Sequence, residues 1–524
     1  MKPIEPPYYP IIYVRGYAGN DDEIENTVAD PYMGFNLGAT KFRQAWTGKV
    51  LRHFFESPLY RLTKDLGYSD VYSNGHFMPD DLEVNSKSII VYRYYDQQFF
   101  EELSEPLGEN SAITGKRRDI EQFAEGLGKL ILNVRDRVCG DVEDRKRVFK
   151  VYLVAHSMGG LVCRCFLQNP EIGSKESKEL IDKVFTYATP HNGIDIRLIG
   201  NVPQFFTLSN TDNFNRDRMK EYLAIPNSDD SVANLLGEFP AERFFTLVGT
   251  NWNDYQVAGG WSKRLTGPMS DGLVRIPNAT VFSKVSRKKK THSPRAFVHR
   301  SHSGHFGIVN SEEGYQNLIR FLFGNVRVDG ILAIDSLTLP PDIQNKKDQG
   351  TTIRASYHFE VVVKVRGYDW DLHRRTTEEG SAIFRTYDEL FPSGRKKQRS
   401  PHLFSLFLSA GEKVNDERNS LGFAIELGVL VPEYEVDGFL WRDDYYKGGY
   451  LFHDTIILEA TPTEAKENDG FELRYGFQSR TPNRVTQKVD LVDSNGRPKF
   501  EIPIIKKTDP GILARFQLQP RIWK

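Results

Sequence analysis

Cysteine is scarce: the chain of 524 residues has three. Cys163 and Cys165 stand two apart in one helix-like run, so they point to different faces, and Cys139 has no obvious mate. That pattern excludes a disulfide framework and fits reduced thiols in a cytoplasmic setting. Net charge is nearly absent as well. Lys and Arg number 69 against 70 for Asp and Glu, a formal charge of -1, which excludes global steering toward nucleic acid or an anionic membrane. No window approaches the roughly 18 apolar residues of a spanning helix. The opening "MKPIEPPYYP" has charges and prolines where a secretory signal carries its apolar core, so a cleaved leader is not expected, although export without one stays open.

What is present is enough for two or three domains. The first part alternates strand-like and helix-like segments, as an α/β domain with a mostly parallel sheet does. "IIYVRGYAGN" is a strand entering a glycine-rich loop, "SIIVYRYYD" a second strand, and "DIEQFAEGLGKLILNVRDRV" an amphipathic helix. "KVFTYATP", "RFFTLVG" and "AFVHR" supply later strands, and "EEGYQNLIRFLFG" closes the unit as a helix. Two long excursions, 21–85 and 197–240, break the alternation and read as functional covers rather than structureless loops. The second, with Phe205, Phe206, Leu208, Phe214, Tyr222 and Leu223 amid polar residues, is a possible lid; the alternative is a helical decoration fixed to the domain. Beyond about Val328 the runs "YHFEVVVKVRGYDW", "LGFAIELGVLV" and "LFHDTIILEATP" are strand-like and divided by turn residues, an all-β, sandwich-like reading. "LPPDIQNKKDQG" reads as an early loop of this part. The expected division is therefore 1–328, an α/β catalytic domain, and 329–524, a β-rich accessory domain.

The chemistry gathers around "VYLVAHSMGGLVCRCFL". A short β-branched strand meets a sharp polar break, and a helical period follows until Asn169-Pro170. Strand, tight turn and helix form the context in which G-x-S-x-G makes a nucleophile elbow. Here Ala155 and Gly159 take the two small positions, and Ser157 is the candidate nucleophile. A serine hydroxyl needs a base, a group to orient that base, and donors for an oxyanion. In "SHSGHFGIVNSEEGYQNLIRFLF" His305 precedes the last helix and is the first candidate base, with His302 its near competitor and His299 behind both. Asp271, in "MSDGLVRIP", is the candidate acid, with Asp254 in "GTNWNDY" as runner-up. The Met158 N–H follows the nucleophile, and Tyr17 in "YVRGYAGN" is the candidate second oxyanion donor, where Gly16 and Gly19 permit close backbone approach.

With these motifs in place, the first ~325 residues resemble the lipase and esterase branch of the α/β-hydrolase superfamily, including bacterial lipases and GPI-inositol deacylases. The likeness lies in Arg15-Gly16-Tyr17 after an early strand, the elbow His156-Ser157-Met158-Gly159, the Ala-Thr-Pro-His-x-Gly run of Ala188 to Gly193, and the Asp271 to Val274 turn. The family's His-x-Gly-Leu/Ile before the last helix favours His305 over His302. Two departures stand out: Arg15 takes the place of the usual oxyanion-loop histidine, and Ala155 that of the first elbow glycine. His191, of the Thr-Pro-His run, is expected to brace its loop.

The resemblance implies a serine carboxylic-ester hydrolase, of lipase or phospholipase type, working through an acyl-enzyme on Ser157 with Asp271 and His305 and no metal or organic cofactor. An acyltransferase using the same triad and a non-catalytic binding protein on the same fold are the alternatives. The basic run Arg287, Lys288, Lys289 and Lys290 reads as a solvated loop or as a contact for anionic lipid. The β-rich part carries no recognisable chemistry.

Overall fold

The computed structural model describes residues 4–16, 39–44, 48, 50–73, 76–77, 83–92, 94, 120–194, 212–254, 269–286, 289–303, 306–391, 400–409, 420–436, 444–462, 471–482, 484–493 and 498–524. Contacts divide the chain into two units, Met1–Arg295 with Arg300–Phe323, and Ala296–His299 with Gly324–Lys524.

The first unit supplies all of a seven-stranded sheet except most of its last strand. The sheet's strands are β1 (Ile11–Val14), β2 (Ser69–Asp70), β3 (Ser88–Tyr92), β4 (Val151–His156), β5 (Ile181–Tyr187), β6 (Phe244–Gly249) and β7 (Arg295–Val298), in the order β7-β6-β5-β4-β1-β3-β2. The pairings from β2 through to β6 are all parallel. β1 and β3 are buried at every position and β4 at all but its last, as expected of parallel strands covered on both faces, which is why they read as unbroken apolar runs. Helices α1 (Ile120–Cys139), α2 (Met158–Gln168), α3 (Arg216–Tyr222) and α4 (Glu312–Phe323) accompany the sheet. α1 buries Phe123, Leu127, Leu130, Ile131, Val134 and Val138, a stripe at helical spacing. Each such side chain contributes about 1.5–3 kcal/mol on burial. α1 and α2 pack closely: a Cβ at Gly128 would sit 3.1 Å from the Phe166 ring.

Of the expected lid, 197–211 lies outside the described residues, and with it Phe205, Phe206 and Leu208. The remainder belongs to the core: Phe214, Tyr222 and Leu223 are buried together with residues of β1, β4 and α2. Arg164 of α2, wholly buried, fastens this stretch from beneath. It donates to the carbonyls of His191 at 2.7 Å, Val232 at 2.7 Å and Asn234 at 3.2 Å. All three cysteines are free and buried.

The second unit is all-β apart from short helices. One sheet runs β11-β8-β18-β17-β16, from β8 (Val326–Thr338), β11 (His402–Leu408), β16 (Leu491–Asp493), β17 (Pro498–Lys506) and β18 (Gly511–Ile522). The other runs β10-β9-β12-β13-β14-β15, from β9 (Ile353–Val365), β10 (Asp371–Arg375), β12 (Leu421–Val436), β13 (Asp444–Pro462), β14 (Phe471–Phe477) and β15 (Gln487–Val489), with Ile383–Thr386 also paired to β9. Among the described residues, every strand pairing in both is antiparallel. An apolar cleft lined by Val328, Phe500 and Leu518 from one sheet and Phe423 and Leu473 from the other shows the two facing each other. The stretch read as a loop, "LPPDIQNKKDQG", contains a helix, Pro341–Asp348. Pro341 stands at its first turn, with Asp342 near its start and Lys346 and Lys347 near its end, so the prolines open a helix rather than prevent one.

Candidate active site

The nucleophile elbow follows from crowding at the end of β4. Ser157 has φ 51° and ψ −124°, a conformation disfavoured for any residue with a side chain. Its N–H is held by the Tyr187 carbonyl at 2.9 Å, and its carbonyl accepts from Gly160 N at 3.1 Å. The glycines after it are sterically required. A Cβ at Gly159 would lie 2.3 Å from the Val14 carbonyl oxygen, and one at Gly160 would lie 2.2 Å from Thr189 Oγ1. Ala155, by contrast, pairs in register with Val14 and Thr186, and its methyl is accommodated there in the core.

Side chains from two separate loops line up on this serine. His302 Nε2 is 3.0 Å from Ser157 Oγ, and His302 Nδ1 is 3.0 Å from Asp271 Oδ2. A carboxylate can only accept, so Nδ1 carries the proton and Nε2 faces the hydroxyl as acceptor. Asp271 Oδ1 is occupied by the N–H groups of Leu273 at 3.0 Å and Val274 at 2.7 Å, the Asx geometry that its Asp-Gly turn suggests. The backbone is clipped too, with His302 N donating to the Asp271 carbonyl at 2.9 Å. Exposure is 7% for Ser157, 4% for His302 and 1% for Asp271, so the polar chain sits in a poorly hydrated setting where such contacts strengthen.

Ser157 and Asp271 are thus brought together, but the imidazole between them is that of His302, whereas the sequence reading gave first place to His305. His305 lies outside the described residues. The backbone clip to Asp271 holds residue 302, only four positions past the end of β7, where its ring reaches the serine. The sequence held a signal for this. His-x-Gly occurs twice in succession, at 302–304 and 305–307, and the strand end lies closer to the first. Asp254, the runner-up acid, accepts from the Asn251 side chain. His191 is fully buried, with Nε2 3.1 Å from Thr186 Oγ1 and its carbonyl on Arg164. Burial, then the Arg164 charge, push its imidazole well below the ordinary range, which suits a neutral brace.

On the oxyanion side, Met158 opens α2, so its N–H belongs to the first turn, where no intrahelical acceptor exists. Tyr17 lies outside the described residues. Gly16 before it presses on the elbow: a Cβ there would stand 2.7 Å from His156 Nδ1 and 3.1 Å from Ser157 Cβ. The Arg15 carbonyl is fixed by the Tyr94 hydroxyl at 2.7 Å, and among the described residues its buried Nη1 has no hydrogen-bond partner. Further from the elbow, Phe282–Ser286 and Lys289–His292 make a hairpin out of what was read as a basic loop. Lys284 is 3.7 Å from Asp229, and Lys290 lies over the Phe282 ring at 3.8 Å; Arg287 and Lys288 are outside the described residues. Among the described residues no group of three His, Cys, Asp or Glu side chains could hold a metal ion, and no helix is long and apolar enough to cross a membrane.

Residues 9–225 match the model of the PGAP1-like alpha/beta domain. The N-terminal unit has the α/β-hydrolase fold. Among solved structures, the chain is similar to phospholipase PlaB from Legionella pneumophila, at 12% identity over 92% of this chain and 99% of that one, with a TM-score of 0.33. It is also similar to the Bacillus licheniformis lipase BlEst2 in propeptide form, at 11% identity over 91% and 98%, with a TM-score of 0.31. No curated protein matches the chain. The elbow lies in this domain, and Asp271 and His302 approach it from loops after β6 and β7, in the order Ser157, Asp271, His302 along the chain.

Proposed function

We propose that this α/β hydrolase cleaves carboxylic esters through an acyl-enzyme on Ser157, with lipid-type esters as its substrates. The observation that carries the reading is the continuous Ser157–His302–Asp271 contact chain, 3.0 Å at each link, on a serine held in elbow geometry. Ser157 Oγ attacks the acyl carbonyl while His302 Nε2 takes its proton. The tetrahedral oxyanion is received by the Met158 N–H, with Tyr17 N–H proposed as the second donor. His302 then protonates the departing alcohol oxygen, and water repeats the sequence on the acyl-serine, with Asp271 stabilising the imidazolium each time. Lipid esters are favoured by the resemblance of the motifs to lipases and deacylases. Anionic-lipid contact through the basic hairpin is not part of the proposal, because Lys284 already has Asp229 and Lys290 rests on Phe282.

The test pairs a fluorophosphonate probe with a panel of p-nitrophenyl esters and defined phospholipids. Wild type is expected to label at Ser157, located by peptide mass spectrometry, and to hydrolyse members of the panel. Ser157→Ala should lose the label and lower kcat by roughly four orders of magnitude or more. Ester hydrolysis that survives Ser157→Ala would put the chemistry elsewhere.

A further inference from the structure

The residue before the nucleophile, His156, takes no part in the reaction just proposed, yet it holds the residue that does. It is the last residue of β4, so its ring is carried by the strand that carries Ser157. Its Nε2 lies 3.0 Å from the main-chain carbonyl oxygen of His302. A carbonyl only accepts, so Nε2 bears the proton and donates. Nδ1 is then the bare nitrogen, turned toward Gly16. The two imidazoles stand 5.0 Å apart, centre to centre, at 44°.

Residue 302 is consequently gripped on both sides of its Cα. Its N–H is on the Asp271 carbonyl at 2.9 Å, and its carbonyl is on His156. The side chain then has one soft freedom, rotation of a ring pinned by Asp271 Oδ2. Without His156, the 302–303 peptide could swing about the Asp271 contacts, and Nε2 would move relative to Ser157 Oγ. Such displacements are expensive, since an error near 1 Å costs about a hundredfold in rate.

We propose that His156 is a positioning residue for the ester hydrolysis read above: its Nε2–H tethers the base-bearing loop to the nucleophile's own strand and so sets the His302–Ser157 distance. A tether must stay in one tautomer and uncharged. Burial, then the His302 ring, push His156 down to about 3; the neighbouring groups that bear on it are His302 and the Arg15 cation. It therefore remains neutral across the range in which a histidine base works.

Two substitutions separate the tether from the bulk of the ring. His156→Phe keeps a ring and removes the donor. His156→Gln places an amide N–H where Nε2–H was. With both variants folded by circular dichroism, His156→Phe should lower kcat about 10- to 100-fold, with KM within about twofold. His156→Gln should recover to within a few-fold of wild type. The acid limb of kcat/KM should have unit slope in wild type and in His156→Gln, because His156 does not titrate there. Hydrogen exchange of peptides spanning 299–308 should quicken in His156→Phe and not in His156→Gln. That measurement reads the tether whether or not the protein is an esterase, whereas probe labelling and Ser157→Ala read the reaction. Unchanged exchange in His156→Phe, a His156→Gln variant as impaired as His156→Phe, or a second ionisation in the wild-type limb that His156→Gln removes would each overturn the assignment.

Discussion

Among single residues, strained backbone occurs beside the site as well as away from it at Ala224 and Leu236. Ser157, Ala188 and Met269 all have positive φ, at 51°, 49° and 67°, and each costs on the order of 1–2 kcal/mol. Ala188 follows β5 directly, with its N–H on the Leu247 carbonyl at 2.9 Å, and Met269 accepts from Ile276 N at 2.8 Å, two residues before Asp271. These bonds hold the strained residues in place, so the serine and carboxylate are fixed before a substrate arrives. The proposed base, His302, is the residue where a single substitution is most informative. His302→Ala should fall as far as Ser157→Ala, and the double variant should be little worse than either, because both remove one pathway. His305→Ala should keep most of its kcat/KM on a soluble p-nitrophenyl ester. The reverse pattern would return the base to His305. Ser157 and Asp271 were legible because each is set by chain neighbours: small residues at a strand-to-helix bend, and a carboxylate capping its own turn. The histidine was not, because two His-x-Gly patterns stand in succession, and what favours the first is the main-chain bond from residue 302 to Asp271, distant in sequence.

Between elements, the instructive contact is Lys183, in the middle of β5 and only 1% exposed. Its Nζ donates to the Leu322 carbonyl, in the last turn of α4, at 2.8 Å and lies 5.7 Å from the centre of the Tyr152 ring. A cation is favoured at a helix C-terminus, but burial outweighs the neighbouring Asp182 charge and brings the amine down to about 7, with Arg243 adding to the fall. Unfolded, the amine has its ordinary value of 10.5. Between these two values the unfolded chain binds a proton that the folded one does not, so this group makes stability rise as pH climbs from about 7 to 10.5. Below pH 7 the folded protein bears the full penalty of a buried charge. Lys183→Met, which fills the same space without the amine, should be the more stable of the two below pH 7 in urea melts, and its lead should shrink as pH rises. A gap that stays flat between pH 7 and 10 would show the amine charged in the fold. In the sequence this lysine was one polar letter in "KVFTYATP", and nothing local marked it as interior. The strand was legible because β-branched and aromatic residues surround it. Likewise the 3.6 period of α1 was plain, while Phe214, Tyr222 and Leu223 could have been lid or core until the bonds from Arg164 fastened their stretch to α2.

For the whole molecule, charge cancels to -1, so its response to pH comes from particular buried groups rather than from global repulsion. Those groups differ between the units. In the second unit the outstanding one is Asp329 of β8, 4% exposed. β8 lies between β11 and β18, with Asp329 opposite Ser405 and Gln519. The carboxylate accepts from Arg327 Nη2 at 3.0 Å and Ser405 Oγ at 2.5 Å, with His402 Nε2 at 3.6 Å and Arg521 Nη2 at 3.9 Å. Burial alone would push the carboxyl up. The bonds and charges from His402, Arg327 and Ser405 prevail and hold it well below its ordinary value of 3.8. A depressed carboxylate adds stability that is fully present above the unfolded value and is lost as pH falls below it, since the unfolded chain then takes up the proton first. Asp329→Asn keeps the shape and an accepting oxygen but leaves Arg327 without its counter-charge, so at pH 7 it should cost about 2 kcal/mol. That deficit should narrow as pH drops through 4 toward 2. The place to read it is hydrogen exchange of peptides covering 326–338, 402–408 and 511–522, because the carboxylate ties these three strands together. Deprotection of those peptides at pH 7, shrinking in acid relative to wild type, is the expected result. A deficit equally large at pH 7 and pH 2 would mean that the site holds by shape and hydrogen bonds alone, with the charge contributing nothing.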